Sequence, residues 1–183
     1  MNSKIISVFA ICILMFSCKN EDKKAEDKTE GTPTNVEKKM SVQMDVIQKT
    51  PENYVVYYTE DNTINFVPEN TIWSEVKPSP DVQTLNFYFP ESVSPTHVRF
   101  DLGNKPERED VVLDNFKIIY GDKTLQVKGA EFFNYFYKND SITSEVNQQT
   151  GRITFLKKKG STAIPFFYPS DKLVEEIAKL TAE

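Results

Sequence analysis

Turn-forming residues interrupt this chain at short intervals over most of its length. Between Pro51 and Pro169, a proline, a glycine or an Asn/Asp pair recurs roughly every ten residues. The intervening stretches are rich in aromatic and β-branched residues, and helical periodicity is nearly absent before the C-terminus. Short strands at this spacing are typical of an all-β sandwich or barrel.

Several of these stretches alternate between apolar and polar residues, as half-buried strands do. The apolar sets are Leu85, Phe87 and Phe89; Val98, Phe100 and Leu102; and Ile153 and Phe155. Arg99 and Asp101 occupy the alternate positions of the second set, which predicts an outward, solvated face for both. Near the C-terminus, Leu173, Ile177 and Leu180 repeat at helical spacing after Ser170 or Asp171, either of which can cap a helix.

Turns and irregularities are also visible. In segment 111–120 the alternation shifts parity at Asp114-Asn115, which predicts a β-bulge or a break. Gly121-Asp122 and Thr150-Gly151 lie where hairpin turns belong. The segment 130–136, AEFFNYF, fits a short helix or a strand equally well.

The first 17 residues have the organisation of a secretory signal peptide. Lys4 gives a positive start, and an apolar run from residue 5 to 16 ends before Ser17. The run is shorter than the ~20 residues of a membrane-spanning helix. We expect Cys12 to be removed with this leader, which leaves Cys18 as the sole cysteine of the mature chain and excludes an internal disulfide framework.

The stretch Leu14-Met15-Phe16-Ser17-Cys18 resembles the lipobox of bacterial lipoproteins. The resemblance implies cleavage before Cys18 and acylation of its sulfur and new amino group, so that membrane lipid is the first expected partner. Several acyl chains on one residue give stable anchoring. The alternative is an ordinary secreted protein with a free N-terminal cysteine.

Residues 18–40 are predicted to form a flexible charged tether, because Lys19 to Lys39 hold six lysines, six acidic residues and no aromatic. Lys19-Asn20-Glu21-Asp22 resembles the acidic tetrads that follow the lipidated cysteine in surface-exported Bacteroidota-type lipoproteins. A plain spacer on a periplasm-facing lipoprotein is the equal alternative. We therefore expect an outer-membrane lipoprotein, on the cell surface or the periplasmic face, with one folded domain at 41–183.

The charge of the predicted domain argues against nucleic acid as a partner. Residues 41–183 hold 15 lysines and arginines against 21 acidic residues, a formal net charge of −6. Acidic domains rarely bind the phosphate backbone. The run Lys157-Lys158-Lys159 is interpreted as a solvated turn.

Catalytic signatures are weak, so we expect no enzyme and assign no catalytic residue. His97 is the only histidine, and the predicted domain has no cysteine, which excludes a zinc site built from these residue types. No nucleophile elbow and no glycine-rich phosphate loop occurs. Paired acids remain a weaker hydrolase alternative. The candidates are Glu60, Asp61, Asp101, Asp110 and Asp114.

The stretch FYFPESVSPTHVRFDLGN, residues 87–104, resembles carbohydrate-binding-like β-sandwiches of bacterial surface and membrane proteins, and FKIIYGDKTL downstream fits the same run of strands. The resemblance extends over about Thr71 to Lys128. Its elements are Pro90, Pro95, Thr96, Arg99, Asp101 and Gly103. The resemblance implies a jelly-roll-like sandwich. Arg99 and Asp101 share the outward face of a strand, where an arginine-carboxylate pair two residues apart can hydrogen-bond the hydroxyls of a sugar. A cross-strand ion pair on a solvated face is the alternative.

The same resemblance brings a structural calcium ion into consideration, since Asp101, Asn104 and Asp110 offer oxygen ligands. Their spacing matches no calcium-loop pattern, and an ordinary acidic loop is preferred. No metal and no cofactor is therefore expected.

Aromatic residues complete the predicted site. Trp73, the only tryptophan, can stack against a pyranose ring, with Tyr88 beside it and Tyr54, Tyr57 and Tyr58 as further candidates; the alternative is that these rings belong to the core. The prediction is an all-β, jelly-roll-like sandwich with a short C-terminal helix. We expect a lipid-anchored, non-enzymatic binding or accessory module, with glycan as the ligand, or alternatively a structural lipoprotein docking on an outer-membrane protein.

Overall fold

The computed structural model describes residues 38–103, 105, 109–139, 144–156 and 164–182. All of them belong to one compact unit, Asn35–Glu183. The predicted signal segment, Cys18, residues 19–37 of the predicted tether, Asn104 and Lys157-Lys158-Lys159 lie outside the described residues.

The described residues form eleven strands, one 3-10 helix and one α-helix. The strands are β1 Met40–Gln48, β2 Glu52–Thr59, β3 Thr71–Val76, β4 Ser79–Tyr88, β5 His97–Leu102, β6 Val111–Tyr120, β7 Lys123–Lys128, β8 Phe136–Lys138, β9 Ser144–Asn147, β10 Arg152–Phe155 and β11 Phe166–Pro169. The 3-10 helix spans Gly129–Asn134, and α1 spans Asp171–Thr181.

The strands form two antiparallel sheets. The first sheet has the order β4-β1-β6-β10-β9, with β7 also paired to β6, and the second has the order β3-β2-β5-β11-β8. The consecutive strands β1 and β2 lie in different sheets, flanked by β4 and β3 on one side and by β6 and β5 on the other. Pairs of strands folded together across two sheets are the pairing of a jelly roll. The predicted all-β, jelly-roll-like sandwich with a C-terminal helix is confirmed.

The core lies between the inner faces of the sheets, where the predicted alternation holds. Leu85, Phe87 and Phe89 of the β4 stretch are buried, as are Val98, Phe100 and Leu102 of β5. Phe100 packs edge-on against Phe116 and Phe136, with ring centroids 5.5 and 5.2 Å apart. Edge-to-face packing of this kind adds to the hydrophobic stabilisation that burial of the rings provides.

The predicted irregularities are confirmed as well. Asp45 pairs with Asn115, whereas Val46 pairs with Leu113, so Asp114 is the extra residue of a β-bulge. Tyr120 pairs with Lys123, which leaves Gly121-Asp122 as a two-residue turn with Gly121 at φ +59°. A second hairpin joins β9 to β10, and its turn includes Thr150-Gly151.

The ambiguous segment 130–136 takes both predicted conformations in turn. Most of it lies in the 3-10 helix, and Phe136 then begins β8. The sequence periodicity could not distinguish helix from strand here, because Phe132 and Phe136 are both buried and stack at 4.3 Å.

The C-terminal helix agrees with the prediction. In α1, the Ser170 hydroxyl accepts a hydrogen bond from the backbone N–H of Leu173, and the stripe of Leu173, Ile177 and Leu180 is buried.

Candidate functional site

The two outer faces of the sandwich differ in chemistry. On the first sheet, polar side chains satisfy one another across the strands. The hydroxyl of Thr84 and the amide of Asn115 donate to Asp45 at 2.6 and 3.0 Å, and Gln43 donates to Asn86 at 2.9 Å. Cross-strand pairs of this kind stabilise a solvated sheet face and leave few polar groups free for a ligand.

The outer face of the second sheet is instead covered by rings. We call this surface the aromatic face; it consists of Tyr57, Phe66, Trp73, Tyr137, Phe166 and Tyr168. Tyr137 and Tyr168 stack at 5.7 Å, and Phe166 meets Tyr168 edge-on at 5.1 Å. Phe66 belongs to the loop between β2 and β3, which folds back so that its ring lies 6.2 Å from that of Tyr168. A cluster of rings outside the main core is the unusual feature of this domain.

Arg99 and Asp101 lie in the middle of the aromatic face, on the central strand β5. Arg99 Nε donates to Asp101 Oδ1 and Nη2 donates to Oδ2, both at 2.8 Å, which is the bidentate geometry of a strong charge-assisted pair. The guanidinium carbon lies 4.0 Å from the ring centre of Tyr57 and 4.8 Å from that of Phe166. Cation–π contacts on two sides hold the pair in place.

The predicted solvated face is therefore wrong for these two residues. Asp101 is only 6% exposed, because the rings of neighbouring strands and the β2–β3 loop cover a face that alternation assigned to solvent. Burial raises the pKa of the Asp101 carboxyl, and the hydrogen bonds and charge of Arg99 oppose part of that rise. Arg99 donates two of its five N–H groups to Asp101 and thereby fixes the orientation of that carboxylate.

Trp73 shares the same outer face and is 58% exposed. The strand register places Trp73 opposite Val55, and Val55 opposite Asp101. Two strand spacings, about 10 Å, therefore separate the backbones of Trp73 and Asp101. A pocket of about 40 Å³ lies between them, and its walls include Asn53, Val55, Tyr57, Asp101 and Ile164. Trp73, Arg99 and Asp101 are thus brought to one surface.

Tyr88 is not part of this surface. It lies on β4, at the edge of the first sheet, and points outward with 63% of its surface exposed. The prediction that Tyr88 joins Trp73, Arg99 and Asp101 in one site is wrong, because alternation gives the orientation of a side chain but not the sheet that carries it. Of the other tyrosines considered, Tyr54 and Tyr58 are buried in the core, and Tyr57 belongs to the aromatic face.

Three of the four remaining acidic candidates have local partners. Asp110 accepts from Arg152 Nε at 2.9 Å, and Asp61 accepts from the hydroxyl of Thr63 at 2.8 Å. The backbone N–H of Ser94 donates to Glu60 at 2.7 Å. Asp114 is exposed at the bulge of β6.

Two of the three oxygen ligands considered for calcium are described, and each is paired with an arginine. Asp101 binds Arg99, and Asp110 binds Arg152. Among the described residues, no group of three or more histidines, cysteines and acids is placed to hold a metal ion.

His97 begins β5, and its Nδ1 lies 3.1 Å from the hydroxyl of Thr96. Partial burial lowers the pKa of His97, and the negative charge of Asp61 opposes that shift. The described hydrogen bonds of His97 do not pair its ring with a nucleophile and an orienting acid, as a catalytic base requires.

One buried acid escaped the sequence reasoning. Glu52 is 1% exposed at the start of β2, where it accepts the backbone N–H groups of Asn53 and Lys105 at 3.1 and 3.3 Å. Gly103, at φ +81°, leaves the space for it, since a Cβ there would lie 2.0 Å from Glu52 Cγ. Glu52 thus anchors the loop after β5 beside the pocket. In the sequence, the only indication of this close approach was Gly103, the glycine that ends the Arg-x-Asp-x-Gly motif.

Comparison of the chain with models of protein families, with curated proteins and with solved structures gives no significant match. Across the described residues, no helix has both the length and the apolar character required to span a membrane.

Proposed function

We propose that this chain is a lipid-anchored, non-enzymatic binding module of the bacterial cell envelope that recognises a glycan on its aromatic face. The observation that carries the proposal is the exposure of Trp73 beside a pocket that Asn53 and Asp101 help to line. An exposed tryptophan leaves apolar surface in contact with water, which is unfavourable unless a ligand covers it. The indole ring also offers a flat surface on which the C–H groups of a sugar can pack.

Polar groups beside Trp73 match what a sugar requires. Asn53 is exposed, and its side-chain amide makes no hydrogen bond within the described part of the chain. Asp101 presents a carboxylate whose orientation Arg99 fixes. A pyranose that stacks on Trp73 can thus exchange hydrogen bonds with preorganised groups, which reduces the ordering cost of binding.

A binding role agrees better with the acidic residues than hydrolysis does. Asp101 and Asp110 each form an ion pair with an arginine. A glycosidase needs one carboxylate free to act as a base or nucleophile and a second kept protonated as an acid. Anchoring through Cys18 remains part of the proposal, supported by the lipobox-like sequence at 14–18.

A second candidate is docking on an outer-membrane protein. The loop beside the aromatic face exposes Ile64 and Val67, and Tyr137 is also exposed on β8. Together with Trp73 these side chains provide apolar area of the kind that protein interfaces bury. Glycan binding is preferred because the pocket beside Trp73 offers an amide and a carboxylate, which a protein docking surface would have to desolvate.

A glycan array probed with the mature chain, purified in detergent micelles, tests the proposal. The expected result is binding to a restricted set of oligosaccharides that is lost in Trp73→Ala. Absence of binding across plant, animal and bacterial glycans, together with recovery of a specific membrane protein by crosslinking at Ile64 in cells, would instead establish the docking function.

A further inference from the structure

The pocket beside Trp73 carries information about which sugar the aromatic face accepts. Its volume of about 40 Å³ exceeds the ~10–15 Å³ that a cavity needs to hold one water molecule and lies far below the ~150 Å³ of a cavity that binds benzene. A pyranose ring is too large to enter, so the ring must remain outside, stacked on Trp73. Only a substituent of the ring can fill the pocket.

The walls combine three kinds of chemistry in a small space. Val55 and Ile164 are apolar, the Asn53 amide supplies a hydrogen-bond donor, and the Asp101 carboxylate supplies an acceptor. Both Asp101 oxygens are held in position by Arg99 at 2.8 Å, and each retains a further lone-pair direction. A complementary substituent therefore has one methyl group, one acceptor and one donor.

On the basis of the proposed function, we infer that the preferred glycan carries an acetamido group, as in N-acetylhexosamines, and that this group fills the pocket. The acetamido methyl packs against Val55 and Ile164, its N–H donates to Asp101, and its carbonyl accepts from Asn53. Each polar atom of the substituent finds a partner, which a buried polar group requires.

Other common ring substituents fit less well. A hydroxyl leaves the apolar walls without a contact, and the pocket then retains a water molecule with few partners. A carboxylate, as in uronic acids, places a second negative charge beside Asp101, which is unfavourable at short range. The pocket thus discriminates at the substituent while Trp73 contacts the ring common to all of these sugars.

Chitohexaose and cellohexaose test the inference, because their β-1,4-linked backbones are alike and they differ in the acetamido or hydroxyl group at carbon 2. Isothermal titration of the mature chain in detergent micelles should show chitohexaose binding roughly ten-fold more tightly, from one buried methyl and two hydrogen bonds. Asn53→Ala should reduce this preference by weakening chitohexaose binding more than cellohexaose binding, since the acetamido carbonyl loses its donor.

The outcomes separate the inference from the proposed function. Equal affinities, or tighter binding of cellohexaose, would overturn the acetamido inference while glycan binding stands. Failure of both oligosaccharides to bind, on an array where no other glycan binds either, would overturn the proposed function and the inference together. A chitohexaose preference that Asn53→Ala leaves unaltered would place the acetamido group outside this pocket and also overturn the inference.

Discussion

Arg99 and Asp101 form a bidentate ion pair along a single strand, beneath rings contributed by neighbouring parts of the second sheet. Both hydrogen bonds measure 2.8 Å, and Tyr57 and Phe166 cover the guanidinium. Ion pairs between residues two apart on one strand are usually exposed, and exposed pairs contribute little to stability. Here the surrounding rings leave the pair little contact with water, so removal of one partner leaves a charge that solvent compensates only in part.

Arg99→Met should lower the free energy of unfolding by about 3 kcal/mol, because Asp101 is left as an unpaired, largely buried acid. Urea denaturation followed by circular dichroism measures the change. Arg152→Met is the matched control, since Arg152 makes a similar 2.9 Å bond to Asp110 at a much more exposed site. Its cost should remain below about 1 kcal/mol. Equal losses in the two variants would refute the role assigned to the aromatic enclosure.

The pKa of the Asp101 carboxyl should lie above its ordinary value, because burial raises it. A carboxyl with a raised native pKa binds its proton more tightly when folded. Its contribution to stability therefore falls as pH rises from the unfolded pKa, about 3.9, through the native pKa. Carbon-13 NMR of labelled aspartate measures the titration directly. In Arg99→Met the pKa should rise further, since the opposing effect of Arg99 is lost; a lower pKa in that variant would contradict the account.

Gly103→Ala should cost about 3 kcal/mol of unfolding free energy. An alanine there combines an unfavourable positive φ with a Cβ only 2.0 Å from Glu52 Cγ, so the buried anchor of the loop must move. Gly121→Ala measures the cost of the positive φ alone. Gly121 also has positive φ, at +59°, but the nearest atom to its added Cβ is Lys38 Cγ at 4.0 Å, and a cost of about 1 kcal/mol is expected. Similar costs at both glycines would show that the collision is relieved cheaply.

Cys18→Ser should abolish lipid attachment. Cells grown with an alkyne-bearing fatty acid should label the natural chain and leave the variant unlabelled, because the thioether requires the Cys18 sulfur. Cys12→Ser provides the control, since Cys12 lies in the predicted leader and its replacement should leave labelling intact. Labelling that persists in Cys18→Ser would rule out this residue as the anchor.

The local sequence pattern was sufficient to predict much of the fold. Alternation in β4 and β5 identified the core positions, the parity shift at Asp114 identified the bulge, and helical spacing identified the buried stripe of α1. These features depend on residues close together in sequence, where a periodicity of 2 or 3.6 determines which side chains share a face.

The candidate site was only partly predictable, since long-range contacts determine it. Phe66 and Phe166 approach Arg99 from positions far away in sequence, and no local pattern around Arg99 indicates that they cover it. Similarly, the outward orientation of Tyr88 followed from alternation, but its placement on the first sheet depends on the pairing of β4 with β1. Pairing of distant strands sets both the cover over Arg99 and the separation of Tyr88 from Trp73.

The most direct measurement of the central claim compares the glycan affinities of Trp73→Ala and Tyr88→Ala by isothermal titration, using an oligosaccharide identified on the array. Both side chains are more than half exposed, so each variant should retain its unfolding free energy within about 0.5 kcal/mol. We expect Trp73→Ala to weaken binding roughly ten-fold or more, through loss of the stacking surface, and Tyr88→Ala to bind like the natural chain. Undiminished binding by Trp73→Ala, or equal weakening in both variants, would contradict recognition on the aromatic face.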